Sequence, residues 1–238
     1  MKTKNYFFLM LIFATTIAFS SCKKDKTEAA ANPTTVNTLS GLGQNPGVPS
    51  GKQFELPKYI SIVGDIRGGI PFKKTIDKNT YTGSFPYYEH SKNWVNYGTG
   101  TYVDLYIKFY NSSSLPITVT IPGGLIFVDS LDINSHLGTY QKGYILQDVE
   151  IPVPSHDTAF ACIQAYCLNH TLMPSSYAAI YYIGPITNNP ELNQITTIMS
   201  TKQAPIGQEY QIQTTVWNVT DYGLTLTAAE IAYLNSLP

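Results

Sequence analysis

Thr101-Tyr102-Val103-Asp104-Leu105-Tyr106-Ile107-Lys108-Phe109-Tyr110 is the stretch that decides the fold class. Its apolar residues Val103, Leu105, Ile107 and Phe109 alternate with Tyr102, Asp104, Tyr106, Lys108 and Tyr110. Successive strand side chains point to opposite faces, so a period of two predicts an antiparallel strand with one buried and one outward side. Asn111 to Ser114 supply a turn. Leu115, Ile117, Val119 and Ile121 resume the alternation until Pro122-Gly123-Gly124 stops it. Leu125 to Val128, Tyr144 to Val153 and Tyr59 to Val63 read as further strands. Short strands at this spacing predict an immunoglobulin-like antiparallel β-sandwich over residues 53–187.

Beyond Tyr182 the texture changes. Asn189, Pro190 and Glu191 are a capping side chain, a proline suited to the first helical position and a first-turn acid, and Leu192, Ile195 and Ile198 or Met199 recur at helical spacing. Gly207 to Val219 is amphipathic as a helix, although its Ile, Thr and Val content leaves a strand open. Thr227-Ala228-Ala229-Glu230 has the capping-box pattern, with Ile231, Leu234 and Leu237 following on one face. The expected class is therefore α+β, with a small helical lobe over 188–238 packed on the sandwich.

The N-terminus carries a different signal. Lys2 and Lys4 precede an apolar run from Tyr6 to Phe19, and Ser20-Ser21 leads into Cys22. A basic start, a short apolar stretch and small residues are the layout of a removable secretory signal, here 1–21. The run falls short of the ~20 apolar residues of a membrane span. Phe19-Ser20-Ser21-Cys22-Lys23-Lys24-Asp25 resembles the lipobox of bacterial lipoproteins in the form common in Bacteroidetes, with Phe19 in place of the usual Leu. The resemblance implies lipidation of Cys22, a palmitate-type membrane anchor and a cell-envelope location, outer membrane by preference. Residues 22–52, rich in Ala, Asn, Pro, Thr and Gly, read as a flexible tether reaching roughly 30 Å.

Removing 1–21 takes away Lys2 and Lys4 and no acid, so 15 basic and 16 acidic residues become 13 and 16. A mildly acidic chain with no basic stripe argues against a nucleic-acid partner. His90, His136 and His156 are scattered without ligand spacing, so no metal and no cofactor are expected. His170, three residues after Cys167, invites a Cys–His hydrolase reading, but catalytic partners generally converge from distant segments. No catalytic set is assigned, and the chain is not read as an enzyme.

Apart from Cys22, the cysteines are Cys162 and Cys167. A disulfide is the obvious reading in an oxidising compartment. However, five residues of strand cover ~16 Å, whereas a disulfide needs Cα atoms roughly 4.4–6.8 Å apart. Tyr166-Cys167-Leu168, followed by Ile212-Gln213-Thr214-Thr215-Val216-Trp217, resembles the thioester domains of bacterial surface adhesins. Gln213, Val216 and Trp217 match their second motif, while Ile212 and Thr215 depart from its Thr and Ala. The resemblance implies an internal thioester between Cys167 and Gln213, shielded by Tyr166 and Trp217, that acylates a partner. It covers about the last third of the chain. The alternative is that Cys167 is a small buried hydrophobe and Trp217 a core anchor.

The Tyr-rich region from Tyr81 to Tyr110, with Trp94 and Tyr97 in it, offers a second kind of site. Tyr102, Tyr106 and Tyr110 share the outward side of the quoted strand and form a candidate ligand face for a glycan or peptide. Against this, Tyr is also an ordinary strand residue. The functional expectation is a lipid-anchored adhesive or binding protein of the envelope with an unknown protein or glycan ligand. Its covalent form uses the thioester; its alternative is non-covalent binding on the Tyr face.

Overall fold

The structure is a computed structural model that describes residues 40–45, 47–69, 94–131 and 138–238. The signal 1–21, Cys22 and most of the tether lie outside the described residues, as do Tyr81, Tyr87, Tyr88, His90 and His136. Among the described residues, eleven strands come first and three helices last. The strands are β1 (Gly51–Gln53), β2 (Ile60–Ile62), β3 (Ile66–Gly69), β4 (Val95–Gly98), β5 (Val103–Asn111), β6 (Ile117–Ile121), β7 (Leu125–Asp129), β8 (Gly143–Tyr144), β9 (Val149–Val153), β10 (Thr158–Cys167) and β11 (Ile180–Thr187). The helices are α1 (Pro190–Met199), α2 (Glu209–Thr220) and α3 (Ala228–Ser236). The class is α+β, mostly strand, with a sandwich-like sheet.

Nine strands form one sheet, and β6 pairs with β9 in a second. β5 organises the first: it holds β2 and β3 on one side and lies against β10 over eight residue pairs, Val103–Ala165 to Tyr110–Thr158. Pairing then runs from β3 to β11, β7, β8 and back to β10, so six strands close a ring. β4 runs parallel to β10, a departure from the all-antiparallel expectation. Into this ring point Val103, Leu105, Ile107 and Phe109 from β5 and Ala161, Ile163, Ala165 and Cys167 from β10. Val119 and Ile121 of β6, with Ile151 and Val153 of β9, belong to the same cluster. That apolar face is the dominant favourable contribution, at roughly 25 cal/mol per Å² buried.

The outward side of β5 is not outward throughout. Tyr106 is 5% exposed and Asp104 fully buried, while Tyr102 and Tyr110 are half-buried. The Trp94 ring stands edge-on to Tyr106 at 4.9 Å and to Phe160 at 5.4 Å. A Cβ at Gly69 would run into the Tyr106 ring, so Gly at that place lets β3 pass close under it. The expected three-tyrosine ligand face is corrected accordingly: its middle member is covered by aromatic neighbours.

A second apolar cluster lies between the sheet and the helices. Ile126, Val128, Tyr144, Tyr166 and Leu168 meet Leu192, Ile195 and Met199 of α1, Ile212, Val216 and Val219 of α2, and Leu234 of α3. α1 starts where its caps direct: Asn189 Oδ1 accepts the Leu192 N–H at 3.0 Å, with Pro190 at the first position. α3 carries the full capping box of Thr227 and Glu230. In α2 the threonines Thr214, Thr215 and Thr220 turn their hydroxyls onto carbonyls four residues back, which satisfies them within the helix.

The end of the sequence-read tether is also part of the fold. Leu42 is 5% exposed within the second cluster. The Asn45 N–H bonds the Leu42 carbonyl, and Gly41 approaches the backbone of 47–49 too closely to admit a side chain. Further on, β1 pairs with β11 and Ser50 bonds Asn188. The boundary at 52 therefore moves toward the N-terminus, to residue 40 at the latest. A composition rich in Gly and Asn suggested coil, but here those residues make close backbone approaches.

Candidate functional site: the Cys167–Gln213 pair

β10 ends at Cys167, and the chain turns through Leu168, Asn169 and His170. Against this turn lies α2, whose residues Gln213 and Trp217 occupy one side at i and i+4. The Gln213 side chain is fully buried. Its Oε1 accepts the Cys167 N–H at 2.8 Å, and its Nε2 donates to the Cys167 carbonyl at 2.7 Å. One carboxamide thus satisfies both backbone groups of the cysteine, at the end of β10 where β8 pairs Gly143 with it. Residues 46 positions apart are brought together by this pair.

The thiol itself is buried in the core cluster, and the Asn169 N–H donates to its sulfur at 3.2 Å. Burial pushes the Cys167 thiol up to about 12, and Asp221 adds to this. The Trp217 indole, the Asn169 N–H and Lys142 work in the opposite direction. The Trp217 indole N–H finds no oxygen or nitrogen acceptor among the described residues and is directed to the Cys167 sulfur. Over the site lie three rings: Trp217 stands between Tyr102, at 5.2 Å, and His170, at 4.6 Å, both edge-on.

Tyr166 is placed otherwise than expected. It is 1% exposed, but as the strand neighbour of Cys167 it points to the other face, into the cluster with the helices. Its hydroxyl lies 3.4 Å from Thr99 Oγ1. The ring beside the sulfur is Trp217, which Tyr102 and His170 flank edge-on. Tyr102, read as a ligand residue, belongs to this group, and Tyr110 lies at the far end of β5.

Three residues escaped the sequence reading. Asn169 is fully buried; its Oδ1 accepts the Lys142 N–H at 3.0 Å and its Nδ2 donates to the Gly43 carbonyl. Asp221 accepts the His170 N–H at 2.9 Å and so fastens the turn to the end of α2. Burial raises its carboxyl, against the opposing pull of that N–H, the Thr220 hydroxyl and the His170 ring. Lys142 is 1% exposed beside the same turn. The one available signal was that Asn169 follows Cys167 by two residues, where a turn favours Asn.

Cys162 and Cys167 are both free thiols. They face opposite sides of β10, as their separation of five residues requires. Among the described residues no group of three or more His, Cys, Asp or Glu could hold a metal ion, and no helix is long and apolar enough to cross a membrane. Comparison of the chain with protein-family models, with curated proteins and with solved structures gave no match in any of the three.

Proposed function

We propose that this chain is a lipid-anchored envelope protein, with Cys22 as the anchored residue, that attaches covalently to a partner through a Cys167–Gln213 thioester. An immunoglobulin-like sandwich variant is the scaffold read into its strands. The observation that carries the proposal is the buried two-bond pairing of the Gln213 carboxamide with Cys167.

That pairing supplies what the chemistry needs. Attack of the Cys167 sulfur on the Gln213 side-chain carbonyl carbon forms the S–C bond and develops negative charge on Oε1. The Cys167 N–H already donates to that oxygen, in the manner of an oxyanion-hole donor. The C–N bond then breaks, the thiol proton goes to the departing nitrogen, and ammonia leaves. A partner amine or hydroxyl later takes the acyl group and returns the thiol. Burial of the sulfur beside Trp217 keeps water from doing so first.

Intact mass of the mature protein tests this. The expected value lacks one ammonia, and Cys167→Ala or Gln213→Ala each restores the full mass. A full mass in the parent, or a loss of two hydrogens reversed by reductant, sinks the thioester. Cys22→Ala should release the protein from the membrane fraction, and unchanged detergent partitioning would sink the anchor. With a full mass, the non-covalent reading retains half-buried Tyr102 and Tyr110 as its contact residues.

A further inference from the structure

We infer that residues 42–43 form a latch that positions the turn carrying the Cys167 thiol and keeps the Cys167–Gln213 pair sealed. The inference deepens the thioester reading and takes its functional meaning from it.

The linkage runs through one side chain. Asn169 contacts the sulfur through its backbone N–H, holds β8's approach through Oδ1 on the Lys142 N–H, and reaches the Gly43 carbonyl with Nδ2. The Leu168 N–H returns to the Lys142 carbonyl at 3.1 Å. Of these partners, Gly43 alone comes from a segment outside the ring of strands, 126 residues away in sequence. Gly43 adopts φ +55°, and a Cβ there would run into the Thr220 carbonyl. The segment therefore also lies flush on the last turn of α2, three residues beyond Trp217.

Leu42 inserts into the cluster that contains Leu168, Val216 and Val219. Lifting 42–43 leaves the Asn169 amide unsatisfied, exposes this apolar cluster and frees the turn to move the sulfur relative to Gln213. A buried polar group losing its partner is among the larger local penalties available, so the latch is closed by default. Asn169, Gly43 and Leu42 are positioning residues in this scheme; none reacts.

The test uses full-length mature protein in detergent, with Gly43→Val and Leu42→Asp as latch variants and Leu42→Met as the conservative control. Iodoacetamide labelling is followed at each cysteine by peptide mass spectrometry. Cys162, buried on the opposite face of the same strand, reports general unfolding. If Cys167 is acylated, the rate of methylamine incorporation at Gln213 replaces its alkylation rate.

The expected result is a rise of at least about tenfold at the Cys167–Gln213 site in at least one latch variant, the factor that ~1.4 kcal/mol of lost closure represents. Cys162 stays protected in that variant, and Leu42→Met behaves as the parent. An unchanged rate in both variants overturns the latch. Cys162 and Cys167 becoming reactive together in both variants also overturns it, since the segment would then hold the whole fold. A full parent mass with no methylamine uptake defeats the thioester alone, and the latch is then decided by alkylation.

Discussion

Cys162 and Cys167 sit on one strand, both buried, with both thiols raised mainly by burial. Their surroundings differ in kind. Beside Cys162 are its direct ladder partner Tyr106 and, two residues along β5, Asp104, with Trp94 edge-on to the Tyr ring. Beside Cys167, at the end of the ladder with β8, a helix side chain takes the backbone groups, and Trp217, itself edge-on to Tyr102 and His170, lies by the sulfur. Equal burial therefore says little about chemistry. What distinguishes Cys167 is a carboxamide held against its backbone by a separate element.

The largest effect expected is on the Cys162 side. Tyr106→Ala removes a 5% exposed ring from beneath Trp94 and should cost ~3–5 kcal/mol, as large-to-small aromatic changes in cores do. Urea unfolding measures it; a cost near zero would mean that the face is open after all. Next comes Gln213→Ala, which strands the buried N–H and carbonyl of Cys167. At ~1–3 kcal/mol for each unsatisfied group, the loss should be roughly 2–5 kcal/mol. The same denaturation series would reveal a smaller value if water replaces the carboxamide.

A pH series sharpens the contrast. The Cys167 thiol stands at 9.0 ordinarily and about 12 when folded. A folded value above the unfolded one means that its contribution is complete below pH ~9 and is lost as pH rises from there through about 12. Cys162 behaves in the same direction. Cys162→Ala should therefore flatten the fall in stability between pH ~8 and ~10. Cys167→Ala should do so only if its thiol is free; no change in slope for that variant is the signature of an acylated sulfur. Smallest is Cys162→Ala at neutral pH, which should cost ~1 kcal/mol, the centre of the usual range for point substitutions. A much larger loss in thermal melting would give Cys162 a role that its neighbours do not explain.

What could be read beforehand follows from the range of the forces involved. The β5 alternation, the Asn189-Pro190 start of α1 and the Thr227–Glu230 box of α3 are local, and residues within a few positions specify them. The 207–219 segment stayed ambiguous because Thr and Val disfavour a helix until their hydroxyls and methyls find partners. Closure of the strand ring by β5 and β10 and the role of Asn169 depend on contacts dozens of residues apart. Tyr166 was placed on the wrong side of the thiol because its adjacency in sequence outweighed strand alternation. The Gln213–Cys167 proximity was legible only through resemblance, since neither residue signals the other by spacing.

The Gly43–Asn169 contact has a consequence in time. Residue 43 is made early, but its partners at Asn169 and Thr220 are made late. At ~5–20 residues per second, the wait is on the order of ten to a few tens of seconds. Throughout it Leu42 has no cluster to enter, and the sulfur of Cys167, once made, stands without its helix. Contacts of such long separation form slowly, so the last piece of the molecule to settle is among the first synthesised. The nascent chain thus passes through a period in which the Cys167 thiol lacks its helix, and anything that delays the final forty residues lengthens that exposure.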